Sequence, residues 1–384
     1  MKGTLILEDG SHFEGLSFGF LSSSAGEVVF STGMVGYPQS LTDPSYKGQI
    51  LILTYPIIGN YGVADKKYWE SEGIKAAGLI VSNYIDTPSH FLSKETLSDW
   101  LKREKIPAIE INDTRFLTQK IREKGTMLGK IVIKGDIEFY DPNKENLLPK
   151  VCANQIRVLE PEAFVYHAPG PSFAQNPANH KKITVLLIDC GAKRNIIRSL
   201  LKRGVRVITV PWDRDPFSDT QPAMPRTLTQ EGKPVFDAIV VSNGPGNPQM
   251  ADKTINTIAK ALKRQIPILG ICLGHQLLTL ALGGGTGKLK YGHRSQNQPC
   301  ILSKSKKCFI TTQNHGFYVN RIPNNFRAWF TNANDGTNEG IIHKNLPIMS
   351  VQFHPEANPG PMDTEWVFDY FLERLPQPPG GQSK

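Results

Sequence analysis

Apolar and polar positions alternate first with the period of strands and then with that of helices. Leu5 to Phe13 alternates around Asp9-Gly10, the pattern of a β-hairpin. Extended apolar runs follow at 27–31, 49–55 and 78–85. Helical spacing predicts a helix over 95–105 with Leu97, Trp100 and Leu101 on one face. It predicts another over 114–124, with Asp113 as N-cap, Phe116, Leu117 and Ile121 on the apolar face and Gly125 as its stop. Residues 1–140 therefore read as an amino-terminal α/β domain.

The texture changes over 141–182, where Pro142, Pro149, Pro161, Pro169, Pro171 and Pro177 break the periodicity. This reads as a connecting segment with a short strand near 163–167. Strand and helix patterns then alternate. Apolar strands are expected at 183–188, 205–210, 236–241 and 266–271. One helix should carry Ile196, Ile197, Leu200 and Leu201 and end at Gly204; another, over 253–264, should carry Ile255, Ile258, Ala259 and Leu262. Continuous apolar strands between amphipathic helices imply an open, mostly parallel sheet covered on both faces, over 183–375. Ligands in such sheets bind at the carboxyl ends of the strands. The stretch 211–234 is a long Pro-rich loop, and 376–384, rich in Pro and Gly, reads as a tail or linker.

Composition narrows the class. The chain has 384 residues, 39% hydrophobic and 21% charged, enough to bury sizeable cores. The net charge of +9 is spread over the pairs Lys66-Lys67, Lys102-Arg103, Lys181-Lys182, Lys193-Arg194 and Lys202-Arg203 rather than gathered in a stripe, so a solvated basic surface is favoured over nucleic-acid binding. No apolar run is long enough for a membrane span. Met1–Gly10 reads directly as strand and turn, without the apolar core of a secretory signal, and the 5 cysteines show no CxxC spacing. A cytoplasmic protein without disulfides is expected.

Candidate chemistry gathers after the strands of the second half. Gly270-Ile271-Cys272-Leu273-Gly274, before an apolar helix expected at 276–282, is a nucleophile elbow with Cys in place of Ser. A thiol there faces a helix N-terminus, which favours thiolate, and the Leu273 N–H points where an oxyanion would form. For the other cysteines inert packing is expected. After a strand at 347–353 come His354-Pro355-Glu356. In an extended segment residues two apart share a face, so Glu356 can hold the imidazole of His354 as a base for Cys272. The turn-rich Ser242–Pro248 is a candidate second oxyanion donor, and Gln313–Phe317 a polar loop after a strand at 308–312. There is no P-loop and no GxGxxG, so no nucleotide chemistry is evident.

Gly270–Gln276 and His354–Glu356 resemble the class I (triad-type) glutamine amidotransferases. Gly36-Tyr37-Pro38, Thr42–Tyr46, Gly59–Gly62 and Asp113-Thr114-Arg115 narrow this. With Ser242–Pro248 and Gln313–Phe317, the whole chain is similar to the glutaminase subunit or domain of carbamoyl phosphate synthetase. The resemblance implies that Cys272 attacks the side-chain amide of glutamine, with His354 as base and acid and Glu356 orienting it. It implies an oxyanion held by the N–H groups of Leu273 and Gly246. Ser45, Gly244, Gly246, Leu273, Gln276, Asn314, Gly316 and Phe317 would hold glutamine at a domain interface. It implies no cofactor or metal in this chain; ATP and Mg would serve a synthetase partner, a large subunit or fused domain contacted by the amino-terminal domain and fed ammonia through a tunnel. Two alternatives stay open: a catalytically silent regulatory domain, and a stand-alone thiol hydrolase of another γ-glutamyl compound.

Overall fold

A tight turn at Asp9-Gly10, with Gly10 at φ +85°, joins β1 (Lys2–Leu7) to β2 (His12–Ser17) as the alternation requires. The computed structural model describes residues 1–161, 183–218 and 234–376. The strand expected near 163–167, most of the Pro-rich stretch and the tail from 377 lie outside the described residues. Further along come β3 (Ser24–Ser31), α1 (Tyr37–Thr42), β4 (Gln49–Leu53), β5 (Gly78–Val81), α2 (Leu97–Arg103), β6 (Ala108–Glu110), α3 (Thr114–Lys124) and β7 (Met127–Val132). The strands close into a barrel in the order β1-β2-β6-β5-β4-β3-β7, which leaves no open edge. Strands β3 to β5 are apolar on both sides. Val28, Phe30, Ile50, Ile52 and Ile80 join one core with Leu117 and Ile121 of α3. Val29, Leu51, Leu53, Leu79 and Val81 join the other with Trp100 and Leu101 of α2.

Asp113 caps α3 by accepting from the Phe116 N–H at 2.8 Å. The Phe116 side chain, however, is exposed. Thr114, Leu117 and Ile121 face inward instead, and Phe116, one residue off that stripe, is turned about 100° away.

After the barrel, β8 (Arg157–Leu159), unforeseen by the sequence, begins a ten-stranded sheet. It continues with β9 (Thr184–Asp189), α4 (Arg194–Lys202), β10 (Arg206–Pro211), β11 (Ala238–Val241), α5 (Asp252–Lys263), β12 (Ile268–Ile271) and α6 (Leu273–Ala281). Then come β13 (Gly285–Leu302), β14 (Cys308–Arg321), β15 (Phe326–Asn332), β16 (Asn338–His343), β17 (Ile348–Val351) and α7 (Trp366–Leu372). The centre is parallel, β10-β9-β11-β12-β17. Antiparallel strands extend it at both edges. Side chains of α4 and α7 pack on one face and those of α5 and α6 on the other, giving the doubly covered sheet that the apolar strands imply.

One expectation fails clearly. Gln313–Phe317 is not a loop but the middle of β14. β13 and β14 form a long hairpin whose register slips between Lys288 and His293 and between Ser295 and Gln298. Such bulges re-aim side chains, so a polar run can lie within a strand and still face a site.

Candidate active site

Four parallel strands, β9, β11, β12 and β17, end at the same edge, and the polar residues after them converge there. The turn after β12 is the tightest. Cys272 stands at φ 54° and ψ −101°, a conformation rarely adopted by a side-chain-bearing residue, as the N-cap of α6. The flanking glycines are required by contact. A Cβ on Gly270 would lie 2.5 Å from the Gly274 carbonyl oxygen, and one on Gly274 would lie 2.2 Å from that of Val241. The Cys272 N–H donates to Val351 O at 2.8 Å and the Gly274 N–H to Ser242 O at 3.1 Å, tying the elbow to strands β17 and β11. The helix begins at Leu273, three residues earlier than the apolar pattern suggests. Leu273, its first residue, has no intrahelical acceptor for its N–H.

His354 and Glu356 meet by a different route from the extended one expected. The Ala357 N–H donates back to His354 O at 3.1 Å, closing a turn. His354 Nδ1 nevertheless donates to Glu356 Oε1 at 2.7 Å, and both residues are buried. Among the described residues Nε2 has no hydrogen-bond partner; besides Glu356 the ring feels Lys193, which opposes its charge, and Cys272, which favours it. Burial opposes charge on the imidazole, yet the Glu356 carboxylate outweighs it, with a smaller attraction from Cys272, and raises His354 to about 10. Burial likewise opposes charge on Glu356, but Lys193 and then His354 hold it down at about 2.

Lys193, counted with Arg194 among the solvated basic pairs, is instead wholly buried at the start of α4, where acidic partners distant in sequence surround it. Its Nζ lies 3.2 Å from Glu356 Oε1 and donates to Ala357 O at 2.6 Å. Burial would neutralise it; Glu356, Glu70 and Asp43 raise it instead. Glu70 from the barrel is also wholly buried, paired with Arg198 at 3.1 Å and accepting from the Asn195 N–H at 3.0 Å. Burial raises its carboxyl.

A cleft of about 430 Å³ opens above the elbow. Cys272, Leu273 and Gln276 line it from α6, Gly244 and Gly246 from the turn after β11, and Asn314, Gly316 and Phe317 from β14; Ser45 enters from the barrel side. Gly246 stands at φ +86°, and a Cβ on Gly244 would lie 2.2 Å from Cys190 O. His354 does not line this cleft. It lines a second cavity of about 310 Å³ with Asp43, Tyr46 and Lys193, and Asn314 borders both. Several expected substrate contacts are already engaged. The Gln276 amide donates to Phe317 O at 2.9 Å and to Gln352 Oε1 at 3.1 Å. The Asn314 amide donates to Asp43 Oδ2 at 2.9 Å, and Asn243 donates to Ser45 Oγ at 3.1 Å. Asp43, Asn243 and Gln352 were missed as site residues; Asp43 carried a signal, lying two residues before Ser45.

Burial raises the thiols of Cys152, Cys190 and Cys300, as inert cysteines require. Cys308 is exposed rather than packed. Among the described residues, His293, His315 and Glu339 bring possible metal donors within 4.8 Å of one another. Each already makes a protein contact, His315 Nδ1 to Phe317 O at 2.8 Å, His293 Nε2 to Asp335 at 2.9 Å and Glu339 Oε1 from Asn332 at 3.2 Å, while His293 Nδ1 and Glu339 Oε2 have no hydrogen-bond partner among the described residues. This network braces β14 behind Asn314 and Gly316.

Residues 186–374 match the family described as "Glutamine amidotransferase class-I", so the sheet domain with its cysteine elbow belongs to that class. Residues 5–131 match the "Carbamoyl-phosphate synthase small chain, CPSase domain". The carbamoyl phosphate synthase small chain of Saccharolobus solfataricus is 46% identical over 382 residues, covering 96% of this chain and 96% of that one. The multifunctional protein CAD of Squalus acanthias is 47% identical over 386 residues, 96% of this chain but 16% of that one. The mitochondrial carbamoyl-phosphate synthase [ammonia] of Homo sapiens is 44% identical and covers 97% of this chain and 23% of its own. This chain belongs to the carbamoyl phosphate synthase small chain family. It spans 16–17% of the length of the multifunctional relatives from Squalus and Schizosaccharomyces.

Proposed function

We propose that this chain hydrolyses glutamine to glutamate and ammonia for a carbamoyl phosphate synthetase. Cys272 gives its thiol proton to His354 and its Sγ attacks the side-chain carbonyl carbon. The oxyanion is stabilised by the N–H groups of Leu273 and Gly246, pre-aimed where charge develops. The carbon–nitrogen bond breaks as His354 hands a proton to the leaving nitrogen, releasing ammonia and leaving a γ-glutamyl thioester. His354 then takes a proton from water, which attacks the thioester and releases glutamate. Glu356 holds the imidazole, and Lys193 holds Glu356. Ser45, Gly244, Gln276, Asn314, Gly316 and Phe317 seat the substrate.

The observation that carries this reading is the strained elbow that presents Cys272 at the floor of the cleft, with the His354–Glu356 pair against it. The partner is a large synthetase subunit or fused domain. It would use ATP and Mg to join ammonia to bicarbonate, for pyrimidine or arginine synthesis in the cytoplasm. No described helix is long and apolar enough to cross a membrane. Since a relative named for ammonia is 44% identical, the test separates the two nitrogen sources. In the assembled synthetase, Cys272→Ala should abolish glutamine-dependent carbamoyl phosphate synthesis and leave ammonia-dependent synthesis intact. Loss of both, or of neither, contradicts the reading.

A further inference from the structure

One wall of the cleft holds a buried cation that forms no ion pair among the described residues. Arg294 on β13 is buried, yet its side chain lines the cleft together with Cys272, Gly316, Glu27 and Lys288. Among the described residues one hydrogen bond satisfies its donors: Nη1 gives to Tyr291 O at 2.8 Å, while Nε is sealed from solvent without an acceptor. Among the described residues no carboxylate forms an ion pair with it. Glu27, the acid that shares the wall, is fully engaged by Lys288 at 2.6 Å, Gln49 at 3.1 Å, and Thr126 and Asn143 at 3.2 Å each.

The backbone makes room for this guanidinium. A Cβ on Gly292 would stand 2.3 Å from Nη1 and one on Gly316 would stand 3.2 Å from Nη2, and Gly316 itself borders the cleft. An unpaired buried charge is strongly unfavourable, and a guanidinium fork matches a carboxylate in two parallel hydrogen bonds. The cleft thus offers a nucleophile at one place and, at another, a cation with no ion-pair partner among the described residues. Glutamine has a neutral amide at one end and an α-carboxylate at the other.

We propose that Arg294 is a substrate-binding residue that takes the α-carboxylate of glutamine and selects for amino acids with a free carboxylate. This rests on the glutaminase reading above and adds a specificity determinant to it. Burial weakens the charged form of Arg294, with Glu27, Tyr46 and Cys272 offsetting it, so an arriving carboxylate gains a poorly solvated partner.

The test uses the assembled synthetase with Arg294→Met and Arg294→Lys, and compares glutamine with L-glutaminamide, whose α-carboxylate is an uncharged amide. Arg294→Met should raise KM for glutamine about 10- to 100-fold with kcat little changed, as expected for a lost charge-assisted contact, and leave KM for L-glutaminamide unmoved. Arg294→Lys should fall between, keeping the charge but not the fork. Alkylation of Cys272 by neutral iodoacetamide should proceed at the wild-type rate in Arg294→Lys, which keeps the positive charge felt by the thiol. A parallel rise in KM for both substrates, an unchanged KM for glutamine, or slowed alkylation with a fall in kcat in Arg294→Lys would overturn the proposal. Should Arg294→Met fail to fold, the Lys variant decides alone. If the wild type turns over no glutamine, the glutaminase reading fails instead. Calorimetric binding of glutamate to wild type and Arg294→Lys then still tests the carboxylate site: weaker binding to the variant supports it and equal binding rejects it.

Discussion

At the residue scale, charge is arranged against burial. His354, Glu356 and Lys193 are all inside the protein; the Glu356 carboxylate sustains the charge of both cations and is held ionised by them, while the two cations oppose each other. This makes stability depend on pH in a stated sense. His354 is raised from 6.5 to about 10, so its contribution is full below about 6.5 and lost as pH climbs to about 10. Glu356 is lowered from 4.5 to about 2, so its contribution is full above about 4.5 and lost as pH falls to about 2. In Glu356→Gln the support for the imidazolium disappears. Denaturation midpoints should therefore differ most from wild type between pH 5 and 6, and the two curves should converge as pH rises towards 10. Parallel curves would show that the pair is not coupled. The sequence exposes Cys272, His354 and Glu356 because their neighbours are glycines and a proline with local consequences. Lys193, Asp43 and Asn243 gave no comparable signal, because their partners come from elements far away in sequence and only the tertiary fold brings them together.

At the element scale, period and composition carry the strands and helices well, and fail where a strand is polar. The Asp9-Gly10 hairpin, α2, α3, α4 and the apolar strands β9 to β12 all appear near where the pattern puts them. β14 is foreseen over 308–312 but not beyond, because Gln313 to His315 are buried polar residues satisfied by one another and by distant groups such as Asp43. No propensity argument sees such partners in advance. The elbow is the element on which the chemistry depends, and it is held by close backbone approach. Gly274→Ala would press a methyl against Val241 O from 2.2 Å and must displace α6 or β11. We expect a loss of about 1–3 kcal/mol of stability in a thermal or denaturant titration, with glutaminase activity falling much further than fold content. A variant with wild-type activity would mean that the elbow tolerates what its geometry forbids.

At the scale of the whole molecule, the barrel and the sheet domain share one site. Ser45 and Asp43 reach from the barrel to Asn243 and Asn314, Lys288 pairs with Glu27 at 2.6 Å, and Arg198 pairs with buried Glu70 at 3.1 Å. Removing one partner of a buried pair leaves an unmatched charge. Arg198→Met should therefore lower stability by about 3 kcal/mol, an effect abolished in the double variant with Glu70→Gln; simple additivity of the two single changes would argue against the pairing. Membership of the carbamoyl phosphate synthase small chain family accounts for the amino-terminal barrel, which glutamine hydrolysis alone does not require. The central claim is that the γ-glutamyl group is carried on one sulfur atom. Acid-quenching the assembled synthetase during turnover of isotopically labelled glutamine, followed by peptide mass spectrometry, tests it directly. The account predicts the labelled γ-glutamyl adduct on the Cys272 peptide of the wild type. Sustained glutamine turnover with that peptide unlabelled, or the adduct on another cysteine, would contradict it.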